Sequence, residues 1–363
     1  MSIRPTSRKA GVRVALLFDG MSALGPTPDL AILDSVEAIE RSLVELGHVV
    51  TRVPVDTEGR WVERVRKGRF ETAFNMCEGI NGTAEMESPV IGALELLGLP
   101  FTGASSLTTS LCLRKHLMNT LANGAGAPVP AWALVRAGDP LPAVGYPAIC
   151  KPATEDASLG VEQRSVVRTP RALATRIRDM HTLWDEVIVQ RFVAGREVNV
   201  GIVGDTVLPL AEIDFDAMPD DHWRIVSYSA KWAPESPEYI GTVPRCPADL
   251  SESLADEIRK IARTAWRAVG GEGYGRVDLR IDLVGRPWLL EVNANPDIAP
   301  DAGLARMAGV AGMNYTALIG RVLDAAFARK PMLAPERWAD AQRLSGLEVP
   351  VEVAVIDAIA LEG

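Results

Sequence analysis

Four residues in the last third of the chain, Arg276, Asp278, Glu291 and Asn293, have the types and spacing to hold a divalent cation beside phosphate. They lie in GEGYGRVDLRIDLVGRPWLLEVNANPD, residues 271–297, where two strand-like runs, 276–282 and 287–292, flank a short turn. Gly285 supplies the positive φ that tight hairpin turns often need. A two-residue turn at Val284-Gly285 puts Asp278 opposite Glu291 and Arg276 opposite Asn293. Side chains two apart share a face, so all four project together, with opposed β-carbons about 5 Å apart. Two acids directly across a ladder repel unless a cation stands between them, and magnesium, held by one or two carboxylates plus nucleotide phosphates, suits that place. The competing reading is the solvated polar face of an ordinary hairpin. Two acids, an arginine and an asparagine set among Leu279, Ile281, Leu289 and Leu290 weigh against it.

Two further segments could serve the same chemistry. In KPATEDASLG, residues 151–160, a strand delivers Lys151 into a loop of small residues whose backbone N–H groups can face a phosphate. The lysine precedes the loop, so this is not the G-x-x-x-x-G-K pattern, and an ordinary strand-loop-helix junction reads the same locally. In IVQRFVAGRE, residues 188–197, an apolar strand that turns at Ala194-Gly195 can hold a purine against backbone polar groups and a ribose against Glu197. A plain domain-crossing turn with a surface acid fits that segment too. Lys115 lies in a helical run, where a lysine is usually just solvated.

These groups need an α/β framework to position them. Residues 12–18 read as a buried strand, 29–46 as a helix closed by Gly47, and 49–53 as a second strand, the β-α-β opening of a parallel sheet. A strand ends at 72–75, a polar loop covers 78–87, and a helix over 89–97 leads into a short strand at 100–102. A second block holds a helix at 113–123, a strand at 146–151, a helix at 170–181 and a strand at 186–192. A third begins at the turn Ala194-Gly195 and includes a loop at 214–240 rich in Asp, Pro and Trp, a helix at 251–269, and the hairpin. The expected organisation is a Rossmann-like parallel-sheet domain over 1–108, a central α+β subdomain over 109–193, a second α+β subdomain over 194–328 that carries the metal site, and a proline-containing tail over 329–363 that packs as an appendage.

Composition narrows the partners. With 363 residues, 47% of them apolar, the chain can fill a sizeable core. A formal charge of −9 without any basic block speaks against nucleic acid. Cys77, Cys112, Cys150 and Cys246 show no CxxC spacing and read as reduced structural thiols, and the four histidines show no metal-ligand spacing. The short polar N-terminus, MSIRPTSRKAG, is followed by a strand, and neither a signal peptide nor a membrane span is visible; the cytoplasm is the expected location.

Taken in order, GRVDLRID with LLEVNANP, the loop KPATEDASLG, the segment VQRFVAGREVNV, the run LELLGLPFTGASSLTTSLCLRKHL and the closing GMNYTALIGRVLDAA resemble the ATP-grasp superfamily, and within it the D-alanine-D-alanine ligase family. The likeness spans residues 12–328. It implies a three-domain enzyme that grips ATP between two α+β subdomains, phosphorylates a carboxylate and lets an amine displace the phosphate. By the same resemblance Lys115 and Lys151 contact the ATP phosphates, the loop 154–160 closes over them, Gln190, Arg191 and Val193 take adenine-hinge positions, and Glu197 meets the ribose. Asp278, Glu291 and Asn293 match the magnesium ligands, for two ions that manganese can replace. Arg276 matches the group that stabilises the acyl-phosphate and the oxyanion, Lys231 a lysine of a mobile cover loop, and Ser158 the remaining serine of the phosphate loop. A homodimer is implied by the resemblance alone.

The departures concern substrate. After the first strand the chain reads GMSALGPT, residues 20–27, with no acid before Asp29 where the ligases hold an amino group. Cys77-Glu78-Gly79-Ile80 stands where they have a His-Gly stretch, Trp232 follows Lys231 where Tyr is common, and NPDIAPDA, residues 295–302, replaces the Ser-Pro-Gly segment and its later carboxylate-holding serine. Glu78, Asp297 and Asp301 are the candidate substrate contacts, with turn formation or helix capping as the plain alternative for the two aspartates. Trp223 and Trp232 either cover the nucleotide or pack at its base. The expected activity is ATP- and magnesium-dependent ligation of a small carboxylate to an amine through an acyl-phosphate, with substrates other than two D-alanines. An authentic D-alanine-D-alanine ligase of cell-wall synthesis, a catalytically silent nucleotide-binding module and a phosphoryl transfer that stops at the phosphorylated product are the rivals.

Overall fold

In a computed structural model that describes residues 11–25 and 29–329, the chain opens with three parallel strands. They are β1 (Arg13–Asp19), β2 (Val49–Val55) and β3 (Thr72–Asn75), in the order β2-β1-β3. Six consecutive buried residues of β1 show a strand covered on both faces, as the crossover helices of a parallel sheet require. One cover is the helix Leu30–Glu45, started by the Asp29 carboxylate on the Ala31 N–H and burying Val36, Ile39 and Leu43. The helix Tyr315–Ala328, from the far end of the described chain, brings Leu318, Ile319, Val322 and Leu323 into that same core. Trp61, Val65, Val90, Ile91 and Leu94 fill the opposite face.

Two antiparallel sheets follow. The first runs β4-β7-β5-β6, from β4 (Trp132–Arg136), β5 (Ala148–Pro152), β6 (Val166–Val167) and β7 (Glu186–Arg191), under the helix Pro170–Met180. The second orders β11-β10-β8-β12-β13, with β9 paired to β8; its strands are β8 (Gly195–Val203), β9 (Thr206–Val207), β10 (Ala211–Asp214), β11 (Val243–Arg245), β12 (Tyr274–Asp282) and β13 (Pro287–Ala294). The helix Glu252–Ala268 covers it with Ile258, Ala262, Ala265 and Trp266. The helix Lys115–Gly124 precedes the central strands in sequence, yet its Met118 and Ala122 join this second core. That placement carries Lys115 to the hairpin. Gly195 has φ +139, and a Cβ there would lie 2.0 Å from the Ile281 carbonyl oxygen, so only glycine lets β8 start this close to β12.

The hairpin corrects one expectation and keeps another. Its turn has three residues, not two: the Asp282 N–H donates to Arg286 O at 2.9 Å, and Asp282 Oδ1 accepts from the N–H groups of Val284 and Arg286. Near the turn the ladder therefore pairs Leu279 with Leu289. A register shift between Asp278 and Leu279 then leaves Leu290 as one extra residue in β13, and beyond it Asp278 faces Glu291 and Arg276 faces Asn293. The longer turn and the bulge offset each other, so the four polar residues meet as expected.

Asn295, just past β13, is buried and left-handed at φ +49. Its Oδ1 accepts from the Ala104 N–H at 2.6 Å and its Nδ2 donates to Glu87 Oε1 at 2.7 Å, at the start of the helix Glu87–Leu96. Burial pushes the Glu87 carboxyl up to about 8, against the Asn295 hydrogen bond and with the charges of Glu78 and Asp156 adding to the rise. Below the ordinary value of 4.5 this acid is neutral in both the folded and unfolded chain. As pH climbs from there to about 8 the unfolded chain ionises first, and stability is lost. Glu87→Gln keeps the acceptor for Asn295 and removes the titration. Denaturant curves across that window should show the variant overtaking the parent as pH rises and the two converging below it; parallel curves would refute the shift.

The four cysteines are free, three of them buried. No helix among the described residues is long and apolar enough to cross a membrane. The expected appendage from residue 330, the first ten residues and residues 26–28, which include the end of the GMSALGPT stretch, lie outside the described residues.

Candidate active site

One face of β12 carries Tyr274, Arg276, Asp278 and Arg280, because alternate residues of a strand point the same way. At its centre Asp278 is fully engaged. Oδ1 accepts from Arg276 Nε at 2.8 Å and Asn199 Nδ2 at 2.7 Å; Oδ2 accepts from Arg276 Nη2 at 2.9 Å and Asn293 Nδ2 at 2.8 Å. The two parallel bonds from Arg276 fix its guanidinium plane. Burial works against the Arg276 charge and the neighbouring Asp278 outweighs it, so the cation is held firmly.

Glu291 faces Asp278 across the ladder and is ringed by cations. Burial alone would raise its carboxyl, but Lys115, Lys151, Lys231 and Arg276 together hold it below the ordinary carboxylate range. Lys115 Nζ stands 3.9 Å from Glu291 Oε2 and also donates to the Glu155 carbonyl, tying the helix Lys115–Gly124 to the loop after β5. Burial pushes the Lys151 ammonium down, with Glu291 opposing. The Lys231 ammonium is also lowered, by the cleft walls and then by Arg276, although solvent still touches it and tempers the effect. Three lysines and an arginine around two carboxylates leave a surplus of positive charge suited to a polyphosphate.

The far end of this face, past Arg280, lies toward β7 and β8. Gln190 is 3% exposed, and its Nε2 has no hydrogen-bond partner, an orphaned donor in a buried place. Val193 is buried and its carbonyl accepts from Arg280 Nη1 at 3.1 Å, while Arg191 is exposed beside them. Glu197 uses Oε2 for Arg280, at 3.2 Å to Nε and 2.9 Å to Nη2, and its Oε1 takes no part in that pair. Glu197→Ala should raise the ATP requirement and also strand Arg280, which is 2% exposed, as an unpaired buried charge costing about 3–5 kcal/mol. ATP titration and denaturant unfolding read the two effects separately; a defect confined to the amine substrate would show that the nucleotide lies elsewhere.

Two loops are bonded to each other. In the loop after β5, Ala157 and Ser158 are both left-handed, at φ +47 and +63, a conformation that costs non-glycine residues energy. Ser158 Oγ donates to Val226 O at 2.9 Å and Trp232 Nε1 to Ala157 O at 3.2 Å, so this loop is latched to the segment that carries Lys231. Trp232 is exposed at that latch. Trp223 instead packs at the base, edge-on to Phe192 at 5.2 Å and under the Arg168 guanidinium at 4.4 Å. Glu78 is exposed just after β3, and its carboxyl is raised by the surrounding protein and then by Asp297 and Asp156, with Lys231 and Arg276 opposing the rise. Asp297 caps its own turn on the Ala299 N–H at 2.8 Å. Asp301 is exposed in the turn before the helix Gly303–Val310, where its carbonyl accepts from Arg306; no contact joins it to the other site residues.

The donor set suits a divalent ion and a nucleotide together. Among the described residues no three His, Cys, Asp or Glu side chains form a metal cluster. The Glu291 carboxylate and the Asn293 Oδ1, left unused when its Nδ2 donates to Asp278, offer oxygens of the kind magnesium takes beside phosphates and water, and Asp278 joins them by giving up one of its four hydrogen bonds. The orphaned Gln190 donor and the desolvated Lys151 fit the base and phosphates of the same ligand.

The model of the D-ala D-ala ligase C-terminus matches residues 126–324, more than half of the chain and all of β8 to β13. The D-alanine–D-alanine ligase of Halorhodospira halophila is 33% identical over 328 residues, covering 90% of this chain and 99% of that protein. The chain belongs to the D-alanine-D-alanine ligase family. Another relative, the uncharacterized protein y4sG of Sinorhizobium fredii, is 31% identical over 84% of this chain and 90% of its own length. The D-alanine–D-alanine ligase of Bacillus anthracis complexed with ATP superposes with a TM-score of 0.71 at 19% identity, over 88% of this chain and 98% of that one. The VanG D-Ala:D-Ser ligase of Enterococcus faecalis does so at 0.69 and 20%, over 87% and 99%. These two show the fold, ATP-grasp with a parallel-sheet N-terminal domain.

Family membership leaves three positioning residues that the sequence reading missed. Asn199 steadies Asp278 from β8, Arg280 anchors Glu197, and Asn295 ties the hairpin's exit to Glu87. Arg280 had a signal, since it shares the parity of Arg276 and Asp278. Asn199 is the one polar residue in VNVGIV, a weaker cue. Nothing local marks Asn295 as buried.

Proposed function

We propose that this family member ligates a small carboxylate to an amine at the expense of ATP, releasing ADP and phosphate, with Arg276, Lys231 and Ser158 as its catalytic groups. The observation that carries the reading is the ordered face of β12 and β13, which runs from the nucleotide end at Arg280 and Glu197, through Asp278 and Glu291, to Arg276. A carboxylate oxygen of the first substrate attacks the γ-phosphorus and ADP leaves. The amine nitrogen then attacks the acyl carbon, phosphate leaves, and the nitrogen gives up its proton to solvent. Lys115 and Lys151 hold the phosphates, and the latched loops exclude water from the acyl-phosphate. Arg276, fixed by its two bonds to Asp278, offers its remaining N–H groups to charge that develops on the acyl oxygen. Magnesium bound by Asp278, Glu291 and Asn293 would neutralise charge on the transferred phosphoryl group.

Two ions, with manganese as a substitute, and a homodimer are part of the same reading and rest on the family resemblance; a cytoplasmic setting goes with them. ADP release that requires both a carboxylate and an amine, with hydroxamate formed when hydroxylamine replaces the amine, is the expected result. ATP binding without turnover across a broad substrate panel would instead favour a silent nucleotide-binding module. A stable phosphorylated product with no amide would favour phosphoryl transfer alone.

A further inference from the structure

The helix Pro170–Met180 packs on one face of the central sheet, over Ala148 and Cys150 of β5, Val167 of β6, and Val187 and Val189 of β7. Lys151 and Gln190 alternate with these residues along their strands and take the opposite face. On the helix side, where the first turns of the helix meet β6, lies a groove of about 440 Å³ whose lining includes Arg164, Val167, Thr169, Arg171, Arg176 and Asp179. None of these residues belongs to the candidate active site.

The charges of the groove do not balance, since three arginines line it against one aspartate. Arg164 is paired with Glu162. Among the described residues Arg171 makes no ion pair, and neither does Arg176, although Arg176 is 5% exposed. A buried guanidinium without a carboxylate beside it is a costly arrangement. Both hydrogen bonds of Arg176 leave from Nη2, to Gly160 O at 2.8 Å and Ser165 Oγ at 2.9 Å, and its Nε is a buried donor without a partner. Burial works against its charge, with Glu162 opposing. Asp179, three residues further along the helix, is exposed and does not pair with it. The start of the helix adds to the positive side: Thr169 Oγ1 accepts from the Ala172 N–H at 3.2 Å, and the positive end of the helix dipole lies where Thr169 and Arg171 line the groove.

We propose that this groove is an oxyanion site, separate from the nucleotide cleft, that takes a phosphate group, either free or carried by a small molecule, between Arg171, Arg176 and the start of the helix. A phosphate there gives Arg176 the counter-charge and the acceptor that it lacks, and a guanidinium meets phosphate oxygens through a planar fork of donors. A cation or an apolar ligand would supply neither. The site owes nothing to the ligase reading and goes beyond it.

Calorimetric titration of the full chain tests the proposal, with the nucleotide cleft saturated by magnesium and a non-hydrolysable ATP analogue and with ionic strength held constant by chloride. Inorganic phosphate and glycerol 3-phosphate are titrated separately, and at least one should bind saturably at a single site. Tighter glycerol 3-phosphate assigns the groove to a phosphorylated metabolite, and tighter phosphate assigns it to the free ion. Arg171→Glu, at an exposed position, should weaken that binding by about tenfold or more, the scale of one lost charge-assisted contact. Arg178→Glu makes the same charge change on the same helix, also at an exposed position but outside the groove lining, and should weaken it by no more than about twofold, because salt screens a charge that makes no contact. Unchanged affinity for the ATP analogue reports that both variants are folded. No saturable binding of either anion at millimolar concentration, or equal losses in the two variants, would overturn the proposal.

Discussion

Replacing Arg276 by alanine should lower amide formation by roughly a hundredfold or more, the scale expected when a fixed donor to a developing oxyanion is lost. The magnitude follows from how the side chain is held. Its guanidinium is clamped by two bonds to Asp278, on a strand paired on both sides with β8 and β13, so it needs no reorganisation when charge appears. Arg276→Lys should recover little, because an ammonium cannot hold Asp278 through one pair of donors while aiming others at substrate. Steady-state amide or hydroxamate formation, measured beside ADP release, separates the roles. If Arg276 served only to orient Asp278, ADP release and amide formation would fall together, and an alanine variant within about fivefold of the parent would remove Arg276 from the mechanism.

Glu291→Gln should nearly abolish ATP turnover, with a loss of about a hundredfold or more. The substitution keeps the size of the side chain and removes the charge that four cations share. Two effects then act in the same direction. The oxygen shell opposite Asp278 loses its second carboxylate, and Lys115, Lys151 and Lys231 are left facing one another with less to neutralise them. Magnesium titration distinguishes the causes, since a metal-ligand role raises the ion concentration needed for half-activity, whereas charge balance alone would leave it unchanged. Near-parent turnover would defeat the assignment.

Much of this arrangement can be read from the chain because its chemistry is local. Asp278 and Arg276 are two residues apart on one strand, and Glu291 and Asn293 are two apart on the next, so periodicity alone puts them on one face. The turn was one residue longer than expected, and the pairing survived because the bulge at Leu290 restores the register, something no local pattern displays. The parts that escaped the sequence are those fixed by distant contacts. Lys115 looked like an exposed helical lysine; it reaches Glu291 because Met118 and Ala122, on the same helix, pack into the core under β12 and β13. Glu197 looked like a surface acid, and Arg280, 83 residues away, makes it a buried one.

The bond from Asn295 to Glu87 crosses 208 residues of sequence, and the Ala104 N–H meets the same side chain. Gly103 belongs to this joint as well, because a Cβ on it would lie 2.1 Å from Asn295 Oδ1. Exchange of the first domain between relatives, an obvious route to new specificities, therefore has a hidden requirement. A graft that ends between residues 87 and 295 carries a lock without its key unless the residues at 87, 103 and 295 travel as a set, and chimaeras that ignore the set will misplace Asp297 before any substrate is tried.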